Sequence, residues 1–266
     1  MAYPHPLTRP PRYLSLLELR ALGDLITLPV RLSALTLKKR QSAGNNQTVI
    51  VLPGFGAGDG VMFPLRHFLN RHGFNAIGWG LGVNKAGLDH HYDPTTLSWS
   101  CSPPKPYRGE TGVLYLTDRM TERVQSLNAT LGEKVLLVGW SLGGTIAREV
   151  ARTCPDCVEK VVTLGSPING GPKYTSAAPY LARRGVDLDW IEQEVERRKQ
   201  AMPLTCPVTA IVSPTDGIVD LSASVDNRDT TVTYCHHDIP HMGMGIASSA
   251  FQLVLSALVA YCEEDV

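Results

Sequence analysis

From residue 48 onward, short apolar runs alternate with stretches whose apolar residues recur at helical spacing. Residues 48–52 (TVIVL), 75–79, 134–138, 160–164, 207–212 and 231–235 read as strands. Their apolar residues come in continuous runs, the pattern of strands buried on both faces. Residues 61–72, 113–131 and 244–262 read as helices, and in 113–131 the apolar positions are Leu116, Met120, Val124 and Leu127. That spacing puts one apolar stripe against a sheet. Repeated strand–helix–strand order predicts an α/β domain: a doubly wound, parallel sheet with right-handed crossovers.

The chain before residue 48 differs. Leu14, Leu17, Ala21, Leu25 and Leu28 follow helical spacing, and Pro29 is expected to end or kink that helix. The domain reading is therefore a helical extension over 1–47 and an α/β domain over 48–266. Glu18, Arg20, Asp24 and Arg31 interrupt the apolar residues, so neither a signal peptide nor a membrane span is expected. The expected location is cytoplasmic. The amphipathic helix is expected to pack on the domain, and is a candidate for peripheral membrane contact.

Two stretches break the alternation. Residues 80–111 are rich in Pro and Gly and contain Trp99. Residues 166–202 open Ser-Pro-Ile-Asn-Gly-Gly-Pro and close in an amphipathic helix over 189–202. Each leaves the carboxyl end of a strand, where ligands bind in open α/β sheets, so both are candidate lids or binding loops. Disorder is expected only in the first ten residues and the last three.

Composition narrows the function classes. The chain has 25 basic and 25 acidic residues, and the balance gives no reason to expect nucleic acid as a partner. Lys38-Lys39-Arg40 reads as a solvated helix end. Of six cysteines, Cys154 and Cys157 form a lone C-x-x-C at a helix end. A zinc site would need a second pair, and a redox motif would open a helix, so free structural thiols are expected.

The chemistry is concentrated at Gly139-Trp140-Ser141-Leu142-Gly143, between a predicted strand and a helical run. A serine at a tight strand-to-helix turn has a strained backbone and an exposed hydroxyl, and the flanking glycines remove Cβ atoms that would collide there. Ser141 therefore reads as a nucleophile. Its acid should follow strand 207–212, where Asp216 precedes Gly217, read as permitting the turn. Asp220 is the fallback. Its base should follow strand 231–235. His241 lies nearest the last helix, while His236 and His237 read as surface residues. The order Ser, Asp, His is one of three known chain orders for such a constellation. The N–H groups of Leu142 and Phe55 are the candidate oxyanion hole. The Phe55 loop, Pro53-Gly54-Phe55-Gly56-Ala57-Gly58, lacks the Gly-Lys-Ser/Thr of a phosphate cradle.

With these residues in place, the chain from about residue 48 onward resembles an α/β-hydrolase of the lipase/esterase type. The resemblance rests on Leu52–Gly56, the elbow through Gly144, Ser166-Pro167, Asp216-Gly217 and His241. It implies a carboxylic ester hydrolase acting through an acyl-enzyme on Ser141, with a small-molecule or lipid ester as substrate and no metal or organic cofactor. An acyltransferase with the same three residues is the alternative, and a membrane-associated, non-catalytic hydrolase-fold protein is a third. Two departures stand out. Pro53-Gly54 replaces the usual His-Gly and so removes a supporting side chain, and the N-terminal extension reads as helical, so the two antiparallel edge strands common in the family are expected to be missing. A six-stranded sheet is therefore expected. Trp79, Trp140, Leu81, Trp99 and Tyr180 are candidate substrate contacts. Packing beneath the elbow is the other reading of Trp140.

Overall fold

The structure is a computed structural model that describes residues 6–37, 43–103, 109–225 and 232–262. Lys38-Lys39-Arg40 and the last three residues lie outside the described residues. Helices α1 (Leu14–Leu17) and α2 (Ala21–Leu37) precede strand β1 (Thr48–Leu52), α3 (Phe63–Arg71) and β2 (Asn75–Gly78). Next come α4 (Gly112–Leu131), β3 (Val135–Trp140), α5 (Leu142–Thr153), β4 (Val158–Leu164), α6 (Ala178–Arg183) and α7 (Leu188–Ala201). The chain closes with β5 (Val208–Val212), α8 (Leu221–Ser224), β6 (Val232–His236), α9 (His241–Met244) and α10 (Ser248–Cys262).

Among the described residues the strands form one six-stranded parallel sheet in the order β2-β1-β3-β4-β5-β6. The apolar runs explain it. Val49, Val51, Leu136, Val138 and Val162 point to one face, against Leu65, Phe68 and Leu69 of α3 and Phe251 and Val254 of α10. Ile50, Leu52, Leu137 and Val161 point to the other, against Met120 and Val124 of α4 and Ile146 and Val150 of α5. Helices on both sides cover the four central strands β1, β3, β4 and β5, so continuous apolar runs were required there. The winding reverses between β1 and β3, whose ends meet as Leu52 opposite Gly139. Loops leaving these two strands diverge there and open a crevice at the carboxyl edge.

Three expectations need correction. The N-terminal helix, expected to end or kink at Pro29, does not end there but runs on to Leu37. Proline costs a helix one N–H bond and some crowding, and tertiary packing of the segment outweighs this. Its Ala21 is buried, and Arg31 donates to Asp24 O, Ser248 Oγ and Ile246 O. The segment expected to be one helix over 244–262 is divided into α9 and α10, and α9 begins at His241. Cys154 and Cys157 are not free thiols. A tight turn over Pro155–Cys157 brings their Cα atoms to 5.5 Å, and they form a disulfide. No helix among the described residues is long and apolar enough to cross a membrane.

Candidate active site

Ser141 stands at the tip of the β3–α5 turn with φ 55° and ψ −125°, a backbone that non-glycine residues rarely adopt. Its N–H is held by Leu164 O at 2.8 Å. The neighbouring glycines are there because of close approach. A Cβ on Gly139 would meet Gly144 Cα at 2.4 Å, and one on Gly143 would meet Leu52 O at 2.4 Å. The sharp turn is thus possible only with bare backbone on both sides of the serine.

Asp216 and His241 come from the loops after β5 and β6. His241 Nδ1 donates to Asp216 Oδ2 at 2.7 Å, and both side chains are almost fully buried. The other oxygen, Asp216 Oδ1, accepts from the N–H groups of Ile218 at 2.8 Å and Val219 at 2.7 Å. A carboxylate held this way has one oxygen left for the imidazole and little freedom to turn. Asp220, the fallback acid, caps α8 by accepting from Ser222 N at 2.9 Å. Position in the loop therefore separates the two: Asp216 reaches the histidine, and Asp220 starts a helix. His236 and His237 are exposed.

Gly217 differs from its sequence reading. Its φ is not in the left-handed region, so the turn does not require glycine. What requires it is Leu14 of the N-terminal segment, whose carbonyl oxygen would lie 2.6 Å from an added Cβ.

Ser141 and His241 line one cavity of about 500 Å³, together with Phe55 and Leu142. The β1 loop lies directly against the serine, since a Cβ on Gly54 would stand 3.1 Å from Ser141 Cβ. Among the described residues, no intramolecular acceptor takes the N–H of Phe55 or Leu142. Asn84, which the sequence reading missed, holds this loop. It is fully buried, its side-chain Nδ2 donates to Pro53 O at 2.8 Å, and its backbone carbonyl accepts from Gly56 N at 2.7 Å. Asn84 thus supplies the support expected to be missing with Pro53 in place of histidine. Its only sequence signal was a polar residue in an insertion.

The cavity wall is largely apolar, with Leu88, Ile168, Leu181, Val186, Trp190 and Ile191 from the two insertions. The insertions clasp each other. Arg197 lies over the Trp99 ring at 4.4 Å and donates to Ser100 O at 2.8 Å, and Asp187 N donates to Glu110 Oε1 at 3.1 Å. Not every aromatic candidate reaches this wall. Trp79 is fully buried in the sheet core, with its indole N–H on Gly82 O at 2.8 Å, and does not line the cavity. Trp99 braces α7 from outside, and Leu81 packs on the same core as Trp79. Tyr180 stands beside the Phe55 ring, 6.3 Å between centroids, outside the cavity lining. Trp140 lines the cavity, and its Nε1 donates to His241 O at 3.1 Å. No group of three His, Cys, Asp or Glu among the described residues converges as a metal site.

A serine on a strained elbow, a buried Asp–His pair and an apolar cavity thus lie together at the carboxyl edge of a parallel sheet. The sequence profile of the alpha/beta hydrolase fold matches residues 47–202. This chain belongs to the alpha/beta hydrolase fold family. Among curated relatives, a homoserine O-acetyltransferase of Thermus thermophilus is 32% identical over 82 residues, 31% of this chain and 21% of that protein. A pimeloyl-[acyl-carrier protein] methyl ester esterase of Aliivibrio salmonicida is 33% identical over 84 residues, 32% of this chain and 30% of its own. The match thus spans less than a third of either relative. Among solved structures, a monoacylglycerol lipase of Paleococcus ferrophilus aligns with a TM-score of 0.52 at 18% identity, covering 84% of this chain and 96% of the other. That likeness concerns the fold.

Proposed function

We propose that the protein is a serine hydrolase that cleaves carboxylic esters with an apolar acyl group. The observation that carries this reading is the buried His241–Asp216 pair at 2.7 Å, facing a cavity shared with Ser141. With Nδ1 engaged by Asp216, Nε2 of His241 is the nitrogen left to take the serine proton. Ser141 Oγ attacks the acyl carbonyl as that proton moves to His241, and Asp216 stabilises the imidazolium. The N–H groups of Phe55 and Leu142 meet the oxyanion. His241 returns the proton to the departing alcohol, and water, activated by the same histidine, releases the acid and restores the serine. The apolar wall from the two insertions supports an acyl chain as the occupant.

The acyltransferase reading has one observation in its favour, the short match to an acetyltransferase. In it an alcohol replaces water in the second half-reaction. A fluorophosphonate probe and p-nitrophenyl esters test the first reading. Labelling and hydrolysis that vanish in Ser141→Ala support it. A folded protein that neither labels nor hydrolyses overturns it. Ester product formed faster than acid when an alcohol is added favours the transferase.

A lipid surface is proposed as the place where the substrate is met. Leu22, Ile26 and Val30 share one face of α2 and are 53%, 77% and 72% exposed, with Leu16 and Leu19 exposed just before them. Met242, also exposed, lines the cavity. Co-sedimentation with phosphatidylcholine vesicles, lost in Leu22→Ser/Ile26→Ser, checks this contact. Equal sedimentation of both proteins overturns it.

A further inference from the structure

Glu18 lies in the turn Glu18–Arg20, between α1 and α2. Its carboxylate accepts three backbone N–H groups. Oε1 takes Gly217 at 2.8 Å and His241 at 2.9 Å, and Oε2 takes Met242 at 2.8 Å. Gly217 follows Asp216 directly, so one side chain joins the loop of the proposed acid to the loop of the proposed base. It does so from 199 and 223 residues upstream.

The contact is fitted on both sides. A carboxylate has about four acceptor positions, and three are filled here. The N–H groups of His241 and Met242 open α9, where no earlier carbonyl of the helix can take them. The bare backbone of Gly217 lets Leu14 O approach, which brings the segment close enough for Glu18 to reach.

We propose that Glu18 is a positioning residue for the Asp216–His241 pair. This rests on the serine-hydrolase reading above. Asp216 and His241 follow different strands, β5 and β6, and β6 is the sheet edge and only partly buried. Without a brace each loop moves with its own strand, and the imidazole drifts from the line to Ser141. A displacement of about 1 Å costs about a hundredfold in rate, so the brace acts on kcat. Glu18 touches neither substrate nor reacting atoms, so KM should change little.

Four variants of the full chain separate reach from charge. Glu18→Ala removes all three bonds and should lower kcat by about 10- to 100-fold, with the rate of Ser141 labelling falling in proportion. Glu18→Gln keeps a carbonyl oxygen for Gly217 and His241 and should stay within about fivefold of wild type. Glu18→Asp keeps the charge but is one methylene short, so it should fall below the glutamine variant. Arg20→Ala removes a neighbouring surface link to Asp238 and should leave kcat within about twofold.

The readouts are kcat and KM for p-nitrophenyl butyrate, the fluorophosphonate labelling rate, and circular dichroism. The order glutamine above aspartate, with KM held, supports the proposal. It is overturned by aspartate above glutamine, by a loss confined to KM, or by wild-type rates in Glu18→Ala. If the alanine variant does not fold, the glutamine–aspartate order decides alone. Labelling of wild type against Ser141→Ala tests the underlying hydrolase reading separately, so the two failures are told apart.

Discussion

The two halves of the candidate site are held in different ways. The nucleophile half is local. Ser141 sits between β3 and α5, and its geometry follows from a strand, a strained turn and glycines within a few residues. β3 also lies inside the sheet, between β1 and β4. The acid–base half is remote in every respect. Asp216 and His241 ride on loops at the β5–β6 side, and the carboxylate bridging those loops belongs to the N-terminal extension. A side chain near the sheet centre is fixed by its own neighbours along the chain. One that follows the edge strand β6, as His241 does, gains from a brace elsewhere, because that strand is paired on one side only and partly exposed.

The comparison can be broken from its strongest side first. Ser141→Ala should abolish probe labelling and reduce ester hydrolysis by about 10⁴- to 10⁶-fold without altering the melting temperature much. Residual hydrolysis near wild type would remove the nucleophile from the site. Asp216→Asn should cost about 10⁴-fold in kcat, since the amide no longer fixes the imidazole tautomer. Asp220→Asn should leave kcat nearly unchanged, and Asp220→Ala should cost about 1 kcal/mol of stability through the lost helix cap, read by denaturant titration. The reverse ranking of Asp216 and Asp220 would move the acid to the other carboxylate.

A smaller effect is expected at the oxyanion loop. Asn84→Ala removes the side-chain bond to Pro53 O but leaves the backbone bond from Gly56 N in place, and should lower kcat by about 10-fold, below the range of a lost oxyanion donor. Unchanged kcat would mean that Phe55 is held without Asn84, or that its N–H is not used. The smallest effect concerns the surface link between the N-terminal turn and the β6 loop. The Thr215 hydroxyl, and then the Arg20 guanidinium, hold the Asp238 carboxyl below the usual carboxylate range. A depressed value means stabilisation present above the ordinary carboxylate pKa and lost as pH falls through the depressed one. Asp238 is exposed, so Asp238→Asn should cost only about 0.2–0.5 kcal/mol at neutral pH, with the difference vanishing in strong acid. A chemical-denaturation series across pH reads this directly.

Much of the site was legible because its parts recur at strand ends. The elbow is a local motif with a steric reason for each glycine, and Asp216 and His241 fall where chain order leads one to look. The pocket aromatics were not legible. Trp79 and Trp99 sit on the right segments, but a segment's position does not say whether a ring faces the cavity or the core. Asn84 and Glu18 were missed for a related reason. Each acts by bonding backbone groups of a distant loop, and backbone N–H and C=O groups leave no trace in residue identity. The disulfide was missed because a C-x-x-C spacing fits a free, metal-bound or bridged pair alike, and the turn geometry separates them.

The sequence by itself determined the six strands, their order of alternation with helices, and the strained serine turn, because periodicity and steric exclusion act over a few residues. It also narrowed the acid and base to one loop each. Only the tertiary structure decided which carboxylate meets the histidine, which rings face the cavity, and that Glu18 bridges the two loops. Those choices depend on where separate chain segments come to rest, 25 residues apart for Asp216 and His241 and 223 for Glu18 and His241, and that is settled by packing across the whole domain.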